Sequence, residues 1–193
     1  MNTCHACAPQ TRLFIGLGLM ALMLATRFHH FGDALYLPDA SWAIFFLAGF
    51  YLPVAWLAGL MLAAVGIDLV AVGWMGASGY CLTPAYAALQ AAHVALWAGG
   101  RWAGRCSGSG VTAVLPMAAI GLGGTLLAFT LSNGAFYWFG GRVLDTQWPQ
   151  FLQTFVDYGP RFLIGTLGYL AVAALVHLLL ASRGHAGSAA GQV

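Results

Sequence analysis

The sequence predicts an all-α polytopic membrane protein, a six-transmembrane-helix bundle forming a single domain over residues 1–193. The first observation behind this is composition: 61% of residues are hydrophobic, only 6% are charged, and the mean hydropathy is +0.82. A soluble domain has about a quarter of its residues charged, so this chain cannot cover a water-facing surface. The second is spacing. Apolar runs recur near the roughly 20 residues that a helix needs to cross the hydrocarbon, with short polar breaks between them. Neither end carries a long water-soluble region, which places binding or catalysis within or beside the lipid. All seven basic residues are Arg and all five acids Asp, for a formal net charge of +2. That charge is too small to call for nucleic acid or an acidic partner.

The first helix is expected over 13–26, ending at Arg27. It resembles a signal peptide in length, but no small-residue cleavage site leads into a soluble domain, so it reads as a retained helix. Ala21 and Ala25 on it form a small-xxx-small pair that lets another helix approach closely. The run 41–75 is too long for one crossing, and Pro53 divides it into 42–52 and 53–75, since Pro is tolerated in a first helical turn. The piece 42–52 is short, either beginning earlier or crossing only partly. A fourth helix follows over 84–102, then a flexible connector over 106–110. A fifth covers 111–139, a polar loop 140–149, and a sixth 151–181 with a kink at Pro160. Residues 1–11 and 184–193 read as disordered tails. Cys4 and Cys7 have C-x-x-C spacing but no second pair to complete a zinc site, and read as incidental.

Six crossings put Arg12, Arg101, Arg105 and Arg183 on the side of both termini. Arg27, Arg142 and Arg161 fall on the other side, together with Asp33, Asp39, Asp145 and Asp157. By the positive-inside rule the termini are cytoplasmic. The break 79–86, the His29–His30 pair and the Asp145 loop then share the outer face.

Chemistry gathers at that break, Gly-Tyr-Cys-Leu-Thr-Pro-Ala-Tyr. A Cys81 thiolate is a soft metal ligand, available once a thiol pKa of about 8.5 is lowered. Thr83 and Pro84 read as a helix start whose amides favour such a thiolate. The plainer reading of Cys81 is a small apolar filler. Asp68 lies within an apolar helix, where a carboxylate faces a functional cavity or a packing partner such as an Arg or Tyr. His29 and His30 are adjacent and cannot point the same way; one is a candidate metal ligand or hydrogen-bonder, against a solvated loop as the plainer account. His93 and His177 lie inside helices, and paired intramembrane histidines can ligate haem; a membrane haem or redox protein is the alternative function. Phe31, Tyr36, Trp42, Tyr80, Tyr86, Tyr137, Trp138, Trp148 and Tyr158 crowd the outer ends, either as an interfacial belt or as the wall of a pocket for a planar ligand.

Taken together these residues resemble the S components of energy-coupling-factor (ECF) vitamin transporters. They are most similar to the BtuM group, cobalamin-specific members without a dedicated energising module. The resemblance rests on six short helices over nearly the whole chain, on the stretch from Asp68 through residues 79–86, and on the Arg27-Phe28-His29-His30 entrance. It implies an ECF S-component fold in a bacterial cytoplasmic (inner) membrane and cobalamin (vitamin B12) as the transported ligand. It implies Cys81 as the cobalt ligand, with Tyr86, Asp68, Tyr80, Thr83, His29, Tyr36, Trp42 and Arg142 around the corrin. Asp68 and Tyr86 would tune the thiol, which would assist loss of cyanide from cyanocobalamin. In S components that share an energising module, an Ala-x-x-x-Ala motif on the first helix contacts it, and Ala21 and Ala25 match that motif. The sequence contains no G-x-x-x-x-G-K-[ST] run, so energy would come from another protein or from the substrate gradient.

Overall fold

The computed structural model describes residues 8–27, 37–108 and 110–190; the side chains of Cys81, of 110–111, of 181 and of 183–190 lie outside the description. Its elements are α1 (Pro9–Arg27), α2 (Ser41–Tyr51), α3 (Ala55–Trp74), α4 (Tyr86–Cys106), α5 (Val114–Phe139), α6 (Trp148–Asp157) and α7 (Gly159–Ala190). Short 3₁₀ turns at Gly79–Cys81 and Gly110–Ala113 precede α4 and α5. The described residues contain no strand.

Local chemistry accounts for most boundaries. Pro9 opens α1 because its missing N–H is one of the orphan donors of a first turn, so the helix starts earlier than the apolar run. Pro53 divides α2 from α3 as expected: Leu52 is extended, and the amides of Trp56 and Leu57 bond back to Pro53 and Val54. After α3 the chain turns through Gly76 at φ +73°, a conformation that favours glycine. Near Pro160, where a kink is expected, the helix is interrupted at one residue, Tyr158, which separates α6 from α7. Proline has no N–H for residue 156 and crowds that carbonyl, so the ladder ends at Tyr158 and restarts at Gly159. α7 continues to Ala190, through part of the stretch that reads as a disordered tail.

Among the described residues, four segments are long and apolar enough to cross a membrane: Pro9–Arg27, Ala55–Trp74, Val114–Phe139 and the α6–α7 run Trp148–Leu180. The expected six are therefore met in part. α2 has 11 residues, only about 16 Å of helix. α4 is long enough, but Gln90, His93, Arg101 and Arg105 lower its hydropathy. Large apolar side chains line the outside of the long helices, among them Leu62, Leu115, Ile164, Val172 and Leu180. So wide an exposed apolar surface belongs in lipid, and the architecture is that of a helical membrane protein.

Contacts set the directions. Arg27 meets Asp68 and Gly16 meets Trp56, so α1 and α3 run parallel. Phe45 meets His93 and Phe50 meets Gly104, so α2 and α4 also run parallel. Gly124 lies on Leu96 and Gly99 on Ile120, making α5 antiparallel to α4, and α7 is antiparallel to α5 through Gly121–Leu170 and Phe129–Phe162. α2 is the axis of the bundle: every residue from Ser41 to Phe50 is buried. Gly49 faces the Trp97 carbonyl and Gly100 faces the Phe46 carbonyl, so the two backbones touch with no side chain between them. In this register Ser41 lies about 9 Å below the start of α4, given about 1.5 Å per residue. Tyr86, at the start of α4, thus stands beyond the start of α2, where Ala40 and Ser41 are fully buried.

Candidate functional site at the Cys81 turn

Three helices meet at that end of the bundle around one carboxylate. Arg27, the last residue of α1, grips Asp68 of α3 with two bonds, Nε to Oδ1 at 2.7 Å and Nη2 to Oδ2 at 2.6 Å. The Tyr86 hydroxyl, from the first residue of α4, donates to Oδ2 at 2.7 Å. The third Arg27 nitrogen, Nη1, donates to Ser41 Oγ at 2.8 Å and lies 3.6 Å from Asp39 Oδ2. Asp39 Oδ1 accepts from the amide and hydroxyl of Ser41 at 2.9 and 2.6 Å. Thr26 closes the ring, accepting from the Ala40 amide at 3.2 Å. Arg27 is 5% exposed and Ser41 fully buried. A paired guanidinium that donates from all three of its nitrogens is the form in which a charge tolerates such burial.

The backbone of Cys81 lies in the 3₁₀ turn between Asp68 and Tyr86 along the chain; its side chain is outside the described residues, as are His29 and Tyr36 entirely. Tyr80, beside it, is held from α5 and the loop that follows it. Arg142, in the loop after α5, donates from Nε to the Tyr80 carbonyl at 3.3 Å, and its guanidinium carbon sits 4.9 Å from the Tyr80 ring centroid. Phe136 of α5 lies 5.5 Å from the same ring. Thr83 Oγ1 is buried with no protein partner, while the Thr83 carbonyl accepts from the Tyr86 amide at 2.8 Å. Asp68, Tyr86, Thr83, Tyr80 and Arg142 are therefore brought to one end of the bundle around the Cys81 turn.

Other candidates go elsewhere. Trp42 is buried in the core, its ring 4.7 Å from Phe162 of α7. Tyr137, Trp138, Trp148 and Phe151 pack edge-on or tilted against one another where α5 meets α6, with ring separations of 5.1–5.9 Å. Tyr137 also bonds the backbone of Gln147 and the side chain of Gln150, which fixes the polar loop. Ala21 and Ala25 stand exposed on α1. His93 is fully buried and stacked 4.1 Å from the Phe45 ring. His177 pairs instead with the Tyr51 hydroxyl at 3.2 Å, on a cavity of about 400 Å³ between α1, α2 and α7 whose lining does not include His93. Among the described residues no three His, Cys, Asp or Glu side chains cluster as a metal site.

Arg27 and Ser41 are the site residues that sequence reasoning missed. The signal was present: in a chain with so few charges, the Arg that closes one apolar helix is a natural partner for an Asp inside another. A scan against protein-family models and a search of curated proteins found no match for this chain.

Proposed function

We propose that this protein takes up cobalamin across a bacterial cytoplasmic membrane, in six crossings with both termini inside, capturing the corrinoid at the outer end of the bundle around the Cys81 turn. What carries the reading is the convergence of Asp68, Tyr86, Tyr80, Thr83 and Arg142 on the turn that bears Cys81. Cobalamin is here the substrate. Cobalt inside a corrin takes one ligand on each face, so a single cysteine is enough to hold it, where an ion without a macrocycle would need a cluster. A thiolate is soft and strongly donating, and suits the metal. Tyr80 on Arg142 offers a ring and a cation at the rim, where corrin amides can be stacked and hydrogen-bonded.

The cluster below the turn has a defined part. The Tyr86 hydroxyl donates to Asp68, and a phenol oxygen is also able to accept from a thiol. Once Cys81 has lost its proton and bound the cobalt, its electron density weakens the bond on the opposite face. From cyanocobalamin, cyanide leaves with its bonding pair, water takes its place, and the cobalt keeps its oxidation state. Ala21 and Ala25, exposed on α1, are where an ECF-type energising module would dock if one serves this protein.

The test is purification in the presence of cobalamin, comparing wild type with Cys81→Ser. Wild type is expected to retain the corrinoid and the variant to lose most of it, and cyanocobalamin held by wild type is expected to lose its cyano spectrum. Equal retention by both would remove Cys81 from the site, and retention by neither would remove cobalamin.

A further inference from the structure

The cavity of about 400 Å³ between α1, α2 and α7 has no part in the uptake reading. Its floor is Leu47 and Tyr51 of α2, and its walls include Leu19 of α1 and Ala173 of α7. Along its rim Phe14, Val172 and Val176 are exposed, so it opens sideways towards lipid. Gly18 widens it: a Cβ there would meet nothing within 4 Å, whereas one at Gly16 would fall on the Trp56 ring. The polar side chains on the lining are Tyr51, His177 and Tyr169. Tyr51 pairs with His177 at 3.2 Å, and Tyr169 donates to the Pro38 carbonyl at 2.8 Å. With both phenols engaged the lining is mainly hydrocarbon, and an apolar cavity takes hydrocarbon in preference to water.

Its dimensions select the hydrocarbon. The lining runs from Tyr169 to Leu180 on α7 and from Ala43 to Tyr51 on α2, about 16 Å and about 12 Å of helix. A volume of 400 Å³ spread over about 16 Å leaves a cross-section of about 25 Å², a channel about 5–6 Å wide. That admits one file of methylene groups, whose carbons touch their neighbours at about 4 Å. It excludes a helix, which is about 10–12 Å across. Depth agrees with width. Phe46, midway along α2, lies against Gly99 and Gly121, and Leu170 lies on Gly121. Since α5 begins at Val114, the cavity occupies the half of the bundle towards the start of α5. The hydrocarbon core is about 30 Å thick, so one leaflet is about 15 Å deep, which matches the cavity and one acyl chain.

Charge at one end of the cavity decides the headgroup. On α1 the lining residues Ile15, Leu19 and Leu22 recur four and three residues apart, and Arg12 stands three before Ile15. Arg12 therefore lies on the same face, just beyond the cavity. On α7 the lining positions 173, 176 and 180 continue at the same spacing to 183, which the sequence fills with arginine. The three helices around the cavity contain no acid. Basic residues at the end of a groove between membrane helices draw anionic lipid headgroups. We propose that the cavity holds one acyl chain of an anionic phospholipid, drawn from the leaflet that meets Arg12, with its phosphate at the Arg12 end. The chain fills the space that no side chain fills and so ties α1 to α7. The proposal stands independently of which substrate the protein carries.

The test places the full-length protein in phosphatidylcholine vesicles doped with phosphatidylglycerol that carries a photoactivatable diazirine in one acyl chain. Adducts are located by peptide mass spectrometry, and phosphatidylcholine with the same diazirine chain is the comparison. Bulk lipid of either kind labels outward residues such as Leu62 and Leu175. A chain in the cavity is expected to label α2 as well, at Leu47 and Tyr51. The phosphatidylglycerol probe should label α2 at least about fivefold more than the phosphatidylcholine probe, and Arg12→Gln should lower that ratio by about the same factor. Gly18→Phe, which fills the cavity, should lose the α2 label while Leu62 stays labelled. If Gly18→Phe does not fold, Val176→Trp from the exposed wall gives the same decision. An absent α2 label in wild type overturns the proposal, whether the cavity is empty or covered by a second copy. So does an α2 label that the filling variant leaves unchanged, and so does equal labelling by the two probes.

Discussion

Asp68 shows what a single residue can do in this setting. Its carboxylate lies well inside an apolar helix, and it binds Arg27 through both oxygens while accepting from Tyr86. Asp68→Asn would leave the buried Arg27 charge without its main partner, and breaking a buried pair from one side costs about 3–5 kcal/mol. Thermal unfolding in detergent should show that loss. The double variant Asp68→Asn with Arg27→Met should recover part of it, because the unpaired charge is then gone. Double and single variants equally unstable would mean that Asp68 acts through something other than Arg27. The carboxylate was legible in the sequence as an anomaly, and so were the two residue types that could satisfy it. Which arginine answers it was not. Arg27 and Asp68 are 41 residues apart, and only the parallel register of α1 and α3 brings them level.

At the scale of the element, α2 and α4 are the pair on which the bundle is built. Pro53 and the turn at 79–86 marked their boundaries in the sequence, and so did the shortness of the second helix. Hydropathy could not show that so short a helix as α2 is the one enclosed along almost its whole length. A window sums polarity over a helix without knowing which face is enclosed. The backbone contact between α2 and α4 was hidden for a related reason: the chain has 26 glycines, and few of them are required. Gly49 and Gly100 are, since a Cβ at either would fall on a backbone carbonyl of the other helix that cannot rotate away. Gly100→Ala should force the helices apart and cost about 1–3 kcal/mol. Gly18→Ala on α1 and Gly59→Ala on α3 meet nothing within 4 Å, and should be neutral or stabilising by up to about 1 kcal/mol from helix propensity. Melting temperatures of the three single variants check this contrast, and equal losses at all three sites would contradict the close approach.

For the whole molecule the decisive question is which end of the bundle meets which side of the membrane. Alternating helix directions put the Cys81 turn and the 140–149 loop at one end and the α4–α5 connector at the other. α5 joins the two ends over 26 residues, about 39 Å of helix, more than the hydrocarbon thickness of about 30 Å. Arg101 and Arg105 near the end of α4 favour the cytoplasm for the connector. Two exposed positions test this: Cys106 closes α4 as a free thiol, and Leu144 is fully exposed in the loop after α5. With Cys4, Cys7 and Cys81 replaced by Ser, a membrane-impermeant maleimide is applied to right-side-out vesicles carrying either Cys106 alone or Leu144→Cys with Cys106→Ser. Leu144→Cys should label at once, and Cys106 only after the membrane is opened. Labelling of both from one side would mean that α5 does not cross, and the alternating topology would fall. The reverse pattern would keep the topology but turn the Cys81 end of the bundle towards the cytoplasm, where it could release a corrinoid but could not capture one from outside.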